Sequence, residues 1–225
     1  MTIMIKIAID GPGGAGKSTV ARAVAAKMGI VYVDTGALYR TIGYYVKQQN
    51  IDPADREAVA ACLGGINIQI SYVEGKQHVF LNGEDMGDKI RTPEMSMYAS
   101  AVSAIPAVRA FLLDTQRDIA ARNSVIMDGR DIGTVILPDA DVKIFLTASE
   151  ECRARRRYDE LVAKGQKVAF EDVLNEMNQR DKQDSTREVA PTAAADDAVL
   201  LDNTDMTFEQ TVDAVIALAE KAQNK

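Results

Sequence analysis

The sequence predicts an α/β fold of three layers, a parallel central sheet flanked by helices, carrying a small inserted antiparallel sheet and a short helical lid. Three observations predict it. Gly11-Pro12-Gly13-Gly14-Ala15-Gly16-Lys17-Ser18 fits G-x-x-x-x-G-K-[ST] and lies between an apolar run, Ile5–Ile9, and a helical stretch, Thr19–Met28. Short apolar runs then alternate with helical patterns along the chain, the rhythm of a parallel sheet with crossover helices. That rhythm breaks at Ile66–Ser71, which alternates apolar and polar as a half-buried antiparallel strand does.

Composition narrows the class. The chain has 225 residues, enough for one large core or one core with an insert. Its net charge of −7 disfavours broad contact with nucleic acid or anionic membrane, so neither is expected as a partner. Two cysteines, Cys62 and Cys152, far apart in the chain, suit a reducing cytoplasm better than a disulfide framework. No run reaches the length of a transmembrane helix, and the first apolar run is too short for a signal peptide.

The first loop carries a specific chemistry. Its glycines let backbone N–H groups turn inward, and a following helix N-terminus adds its positive end, making a cradle for phosphate. The motif takes in Gly11, Pro12, Gly13, Gly14, Ala15 and Gly16, then Lys17 for the β/γ-phosphates, Ser18 for Mg²⁺, and Thr19 at the helix start. Val20, Ala21, Val24, Ala25 and Met28 share one face of that helix, and Gly29 stops it. Ile30–Val33 reads as a strand ending at Asp34. Thr35 then opens a helix to about Lys47, with Tyr39 and Arg40 in its first turns. Polar groups clustered at a strand end are where ligands bind open α/β sheets, and a guanidinium there matches phosphate oxygens. Without the phosphate loop, Arg40 reads first as an exposed arginine on a capped helix.

Asp52 is the expected N-cap of a helix with Pro53 at its first position, ending at Gly64-Gly65. Ile66–Ser71 and Val79–Leu81 form the antiparallel patch, with the only histidine, His78, beside it and no second soft ligand near enough for a metal site. Thr92 caps a helix carrying Ser100. Pro106 opens another, whose expected core stripe is Val108, Phe111, Leu112, Thr115 and Ile119, with Arg109 off the stripe.

Ser124–Asp128 is a buried strand ending in an acid, followed by Gly129-Arg130-Asp131; it resembles the Walker B arrangement, in which the carboxylate helps to hold Mg²⁺. After the strand Val142–Leu146, Thr147 and Glu150 match a capping box. The next helix carries Arg153, Arg155, Arg156 and Arg157, either a solvated face or a lid over phosphates. A helix from about Phe170 to Lys182 ends in a run that holds Arg180, Asp184 and Arg187, a mixture of signs that suits either a site for a ribose hydroxyl and a phosphate or a plain charged helix end. Ala198–Asp202 is the last strand. Thr207 with Gln210 caps the last helix, whose buried stripe is Val212, Val215, Ile216 and Ala219, and Ala222–Lys225 is expected to fray.

A phosphate loop leaves GTPase, ATPase and kinase open, and the absence of Asn-Lys-x-Asp argues against a small GTPase. Arginines at strand ends point to two phosphate-bearing substrates, whose reaction needs charge neutralisation and exclusion of water. The motifs Asp10 to Ser18, Asp34-Thr35-Gly36-Ala37-Leu38-Tyr39-Arg40, Ile90-Arg91-Thr92, Asp128 to Thr134 and Arg180 to Pro191 together resemble the bacterial cytidylate (CMP) kinases, within the nucleoside monophosphate kinases, over nearly the whole chain. The resemblance implies transfer of the γ-phosphoryl group of ATP to CMP or dCMP with Mg²⁺, by a monomer. It implies a single domain over 1–225, a monophosphate-binding insert at about 36–110 and a lid at about 150–168. Ser100, Arg109 and Asp131 match the family's cytosine-reading positions. Asp34, Thr35, Tyr39, Arg40 and Arg130 match the acceptor and phosphate clamps, and Arg180, Asp184 and Arg187 the ribose and phosphate contacts. Lys17, Arg40, Asp128 and Arg130, with Arg153, Arg156 and Arg157 of the lid, are then the candidate catalytic residues, and Ser18 and Asp128 the candidate metal ligands. Thr35 stands where many members have Ser, and Ser18 where some have Gly. Other readings predict different chemistry: a kinase for UMP or a non-nucleotide alcohol, a regulatory ATPase whose Arg153–Arg157 run binds a partner, or a nucleotide-binding module without catalysis.

Overall fold

The computed structural model describes residues 4–224. Its elements are, in chain order, β1 (Lys6–Asp10), α1 (Lys17–Met28), β2 (Val31–Asp34), α2 (Thr35–Gln48), α3 (Arg56–Cys62), β3 (Ile68–Val73), β4 (Lys76–Leu81), β5 (Glu84–Asp85), α4 (Pro93–Ser103), α5 (Pro106–Arg122), β6 (Val125–Asp128), β7 (Val142–Thr147), α6 (Glu150–Ala163), α7 (Phe170–Thr186), β8 (Val199–Asp202) and α8 (Phe208–Gln223). A π-helical turn covers Ile132–Ile136.

The central sheet has the order β2-β6-β1-β7-β8, with every pairing parallel. Its strands alternate between two cores, as a sheet covered on both faces must. Ile7, Ile9, Ile126 and Ile144 pack with α1 and α8, whereas Ala8, Val125 and Met127 pack on the other face with Ala120 of α5 and the π-helical turn. The order reverses beside β1, where β6 and β7 flank it, so a crevice opens at the strand ends. Those ends are acidic: Asp10, Asp34, Asp128 and Asp202 each terminate a strand.

A second sheet, β3-β4-β5, is antiparallel and packs with α2, α4 and α5 around a third core that includes Leu38, Ile42, Val79, Leu81 and Val102. Helix α5 joins the two regions: Val108 and Leu112 belong to this core, Ala120 to that of the central sheet.

Several expectations shift. Helix α3 begins three residues late, because Asp52 turns back to accept from the Ala54 amide while Asp55 takes the capping bond from Ala58. The cap of α6 is Ser149, which accepts from Cys152, rather than Thr147. On α5 the buried stripe is Val108, Arg109, Leu112, Gln116 and Ala120, so Arg109 lies on the stripe and Phe111, 36% exposed, lies off it. Helix α7 runs on to Thr186 and carries Arg180 and Asp184 on regular helix. The Thr207–Gln210 capping box is present, and α8 continues through Ala222 to Gln223; Lys225 lies outside the described residues.

Candidate active site

The phosphate loop leaves β1 through Gly11, at φ +140°, where a Cβ would run into the Leu146 carbonyl of β7. At Gly14, φ +72°, a Cβ would lie 2.6 Å from Met177 and 2.9 Å from the Arg153 carbonyl, so only glycine lets α6 and α7 approach the loop. Helix α1 starts at Lys17 with no side-chain cap, which leaves its first amides free for an anion. Lys17 curls over the loop and donates to the carbonyls of Gly11 at 2.8 Å and Pro12 at 2.7 Å. Burial, and then the Arg130 charge, hold its pKa well below the usual lysine range.

Asp34 and Asp128 are register partners at the ends of β2 and β6. Ser18 Oγ donates to Asp128 Oδ2 at 2.6 Å and Tyr32 to Oδ1 at 2.8 Å, while the Thr35 hydroxyl donates to the Asp128 carbonyl. Burial, followed by the nearby Asp34, pushes the Asp128 carboxyl up. Burial acts on Asp34 in the same sense, but Arg40 and Arg91, each 3.0 Å away, outweigh it and hold that carboxyl down.

The far end of the cleft is one ion-pair network. Arg109 pairs with Asp131, donates to the Ser103 carbonyl at 3.1 Å and lies 5.6 Å over the Tyr39 ring. Asp184 accepts from Ser100 at 2.7 Å and from Arg130 at 3.1 Å, with Arg180 at 3.9 Å. Arg187 donates to Ser103 Oγ at 2.7 Å and approaches Asp131 at 3.8 Å. Burial, then Arg130, pulls Arg180 down to about 10, so it remains cationic at neutral pH. The Nε atoms of Arg40 and Arg180 are buried without a hydrogen-bond partner, a surplus of donors suited to phosphate oxygens. Ser100, expected to donate to a base, has its proton on Asp184.

A cleft of about 790 Å³ joins the loop to this network. Of the residues expected in the site, all line it except Gly11, Pro12, Ala15 and Arg153. Arg153 corrects the expected lid: it is turned inward, with Nη1 on the Gly13 carbonyl at 2.8 Å and on Asp181. Arg155 also points away, its guanidinium 4.2 Å from the centre of the Phe170 ring. Arg156 and Arg157 line the cleft, the former held by Asn203 at 3.0 Å.

Several residues of the site went unmarked in the sequence. Arg91 and Asp181 lie inside motifs that carry the resemblance, so their places were visible but their partners were not. Gln77 gave no signal; from β4 it accepts from the Asp34 amide at 2.8 Å and donates to its carbonyl at 3.2 Å. Asp10 accepts from the Ile132 and Gly133 amides, both at 2.7 Å, and so fixes the π-helical turn. Burial raises its pKa to about 6, against about 3.9 for an unfolded chain. The folded state therefore holds this proton more tightly, and the stability it contributes is complete below about pH 4 and lost as pH rises through about 6. The expected result is a thermal-midpoint gap between wild type and Asp10→Asn that shrinks over that window. A gap that widens would mean that the two amide bonds outweigh burial.

Fold and site together define a P-loop phosphotransferase of the kinase type. A family model for cytidylate kinase matches residues 7–221. Cytidylate kinases of Caldicellulosiruptor bescii and Caldicellulosiruptor saccharolyticus are 49% and 50% identical to the chain over 217 residues, 96% of the chain and 96% of each relative. The chain belongs to the cytidylate kinase family, and is thus a nucleoside monophosphate kinase that uses ATP. An uncharacterized protein from Eubacterium ventriosum, of known crystal structure, aligns over 97% of this chain and 99% of its own at 15% identity and a TM-score of 0.53, a likeness of fold.

Proposed function

We propose that the chain transfers the γ-phosphoryl group of ATP to CMP or dCMP, giving ADP and CDP or dCDP. One observation carries this reading: a single cleft holds the phosphate loop at one end and the Ser100–Arg109–Asp131 group at the other, with Lys17, Arg40, Arg130 and Arg180 lining it. An acceptor phosphate oxygen attacks the γ-phosphorus, the bond to the β–γ bridging oxygen breaks, and its electron pair leaves on ADP. The charge spread over the moving group needs neutralising rather than covalent help. Lys17, Arg40, Arg130 and Arg180 supply it, with Arg156 and Arg157 from the lid.

The acceptor region is residues 36–110, and α6 with the turn that follows it, from about 150 to 168, is the lid that excludes water. No group of three or more His, Cys, Asp or Glu placed to hold a metal occurs among the described residues. A hydroxyl and a carboxylate 2.6 Å apart at the phosphate loop nevertheless suit Mg²⁺, which takes few protein ligands and shares phosphate oxygens. Ser18 and Asp128 would hold it, and its chemistry there is charge neutralisation.

Cytosine offers an N4 amine to an acceptor, and the Asp131 carboxylate supplies one; Arg109 donates to the ring. Uracil has a carbonyl at that place and is repelled. The test is ADP release with ATP and Mg²⁺, comparing CMP, dCMP, UMP and AMP with a control lacking acceptor. Rates strongly favouring CMP and dCMP support the reading, and release that ignores the acceptor refutes it. Asp184 is assigned the ribose 2′-hydroxyl, so Asp184→Ala is expected to slow CMP more than dCMP, shifting their kcat/KM ratio by about tenfold, the worth of one hydrogen bond to a charged group. An unchanged ratio removes that role.

A further inference from the structure

Asp181 follows Arg180 on α7 but contacts the phosphate loop. Its Oδ1 accepts from the Gly13 amide at 2.9 Å, and its Oδ2 pairs with Arg153 of α6. The same Arg153 nitrogen donates to the Gly13 carbonyl at 2.8 Å, and Nε is anchored on the Ala148 carbonyl at 3.0 Å. Both backbone groups of Gly13 are therefore held by side chains from elsewhere in the chain. Such holding matters in a glycine-rich loop, which otherwise samples many backbone conformations and loses that freedom when it orders around a phosphate.

The pair also settles a charge problem. A carboxylate beside an anion cradle opposes phosphate unless a cation cancels it, and Arg153, with a side chain only 6% exposed, does so in a site screened from water. One turn further along α7, Asp184 binds Ser100 of α4 and Arg130. Helix α7 thus reaches the loop with Asp181 and the other end of the cleft with Asp184.

We propose that Asp181 and Arg153 are a positioning pair that sets the Gly13 backbone for the donor nucleotide and ties the loop to α7. The inference rests on the reading that ATP binds at this loop. Arg153 lies off the cleft lining, and Asp181 has its two carboxylate oxygens on the Gly13 amide and on Arg153, so the pair acts through Gly13.

The experiment is calorimetric titration of the full chain with ATP alone and with CMP alone, each variant accompanied by its thermal midpoint. Asp181→Ala is expected to weaken ATP by about tenfold, the loss of one charge-assisted hydrogen bond, and to leave CMP within about twofold. Arg153→Ala is expected to weaken ATP further, because it strands the Asp181 carboxylate beside the loop. Adding Asp181→Ala to it removes that charge, and the double variant is expected to return to the level of Asp181→Ala alone. Asp181→Asn keeps an oxygen for the Gly13 amide with minimal change of shape, and is expected between wild type and Asp181→Ala. Losses of ATP and CMP affinity that run in parallel with a falling thermal midpoint would overturn the proposal, as would additive losses in the double variant. Wild type that binds no ATP would overturn the donor-site reading itself; wild type that binds ATP but not CMP would count against the acceptor only, since the ATP series decides the pair alone.

Discussion

Lys17→Met is expected to cut kcat by about 10³-fold while leaving the thermal midpoint unchanged or higher; the cost in rate is that of removing one preorganised charge from a water-excluded site. The two halves of this expectation have one cause. Lys17 is buried where it curls over the loop, and the like charges that act on it are Arg130 and Arg180. Burial and those cations depress its pKa, so the folded protein holds the charged lysine less favourably than the unfolded chain does. Removing the charge relieves that repulsion, and methionine keeps most of the volume. In the transition state the same cation faces developing negative charge from within the loop itself, a place the arginines around the cleft do not take over. Activity and stability are therefore expected to move apart, as they do where a strained site serves function. Steady-state rates and a melting curve on the same preparation check both halves; a kcat within tenfold of wild type would remove Lys17 from the reaction.

The central sheet and the loop were legible because they are written in local signals. Apolar runs ending in Asp34 and Asp128 mark the ends of β2 and β6, and the glycine pattern before Lys17 fits only a turn into a helix. Signals of this kind need neighbours no further than one element away. Arg109 shows what periodicity misses. Its charge argued for the solvent side of α5, yet it is buried, because Asp131, the Ser103 carbonyl and the Tyr39 ring all meet it from other elements. Phe111 errs in the opposite direction: an aromatic at helical spacing reads as core, but the faces of α5 are already filled by Val108 and Leu112.

The Arg153–Arg157 run was visible as a charge cluster, but its side chains divide among the loop, Asn203 and the Phe170 ring, and only tertiary packing decides which goes where. The π-helical turn at Ile132–Ile136 had no local signal at all. It depends on Asp10, far back in the chain, accepting from two successive amides. Candidate residues could thus be listed from motifs, whereas their pairing had to come from the fold.

That pairing shapes the expected result at Asp131. Asp131→Asn is expected to reduce the CMP-over-UMP preference in kcat/KM by about 10²-fold, with a much smaller change in KM for ATP, since a single well-placed pairing to a base is worth about 1–3 kcal/mol of discrimination. An asparagine amide can turn either its oxygen or its nitrogen to the base, so the variant accepts a carbonyl where the carboxylate repelled it. Charge is lost as well. Arg109 and Arg187 both face Asp131, so the variant leaves two buried guanidiniums short of a partner. Breaking a buried pair costs about 3–5 kcal/mol, so the thermal midpoint is expected to fall too. Arg109→Met with Asp131→Asn removes both members and separates the two effects: stability is expected to recover in part, and the preference for CMP is not. If UMP gains nothing in Asp131→Asn, or if CMP and ATP lose equally, Asp131 serves the architecture of the network and the base is read elsewhere.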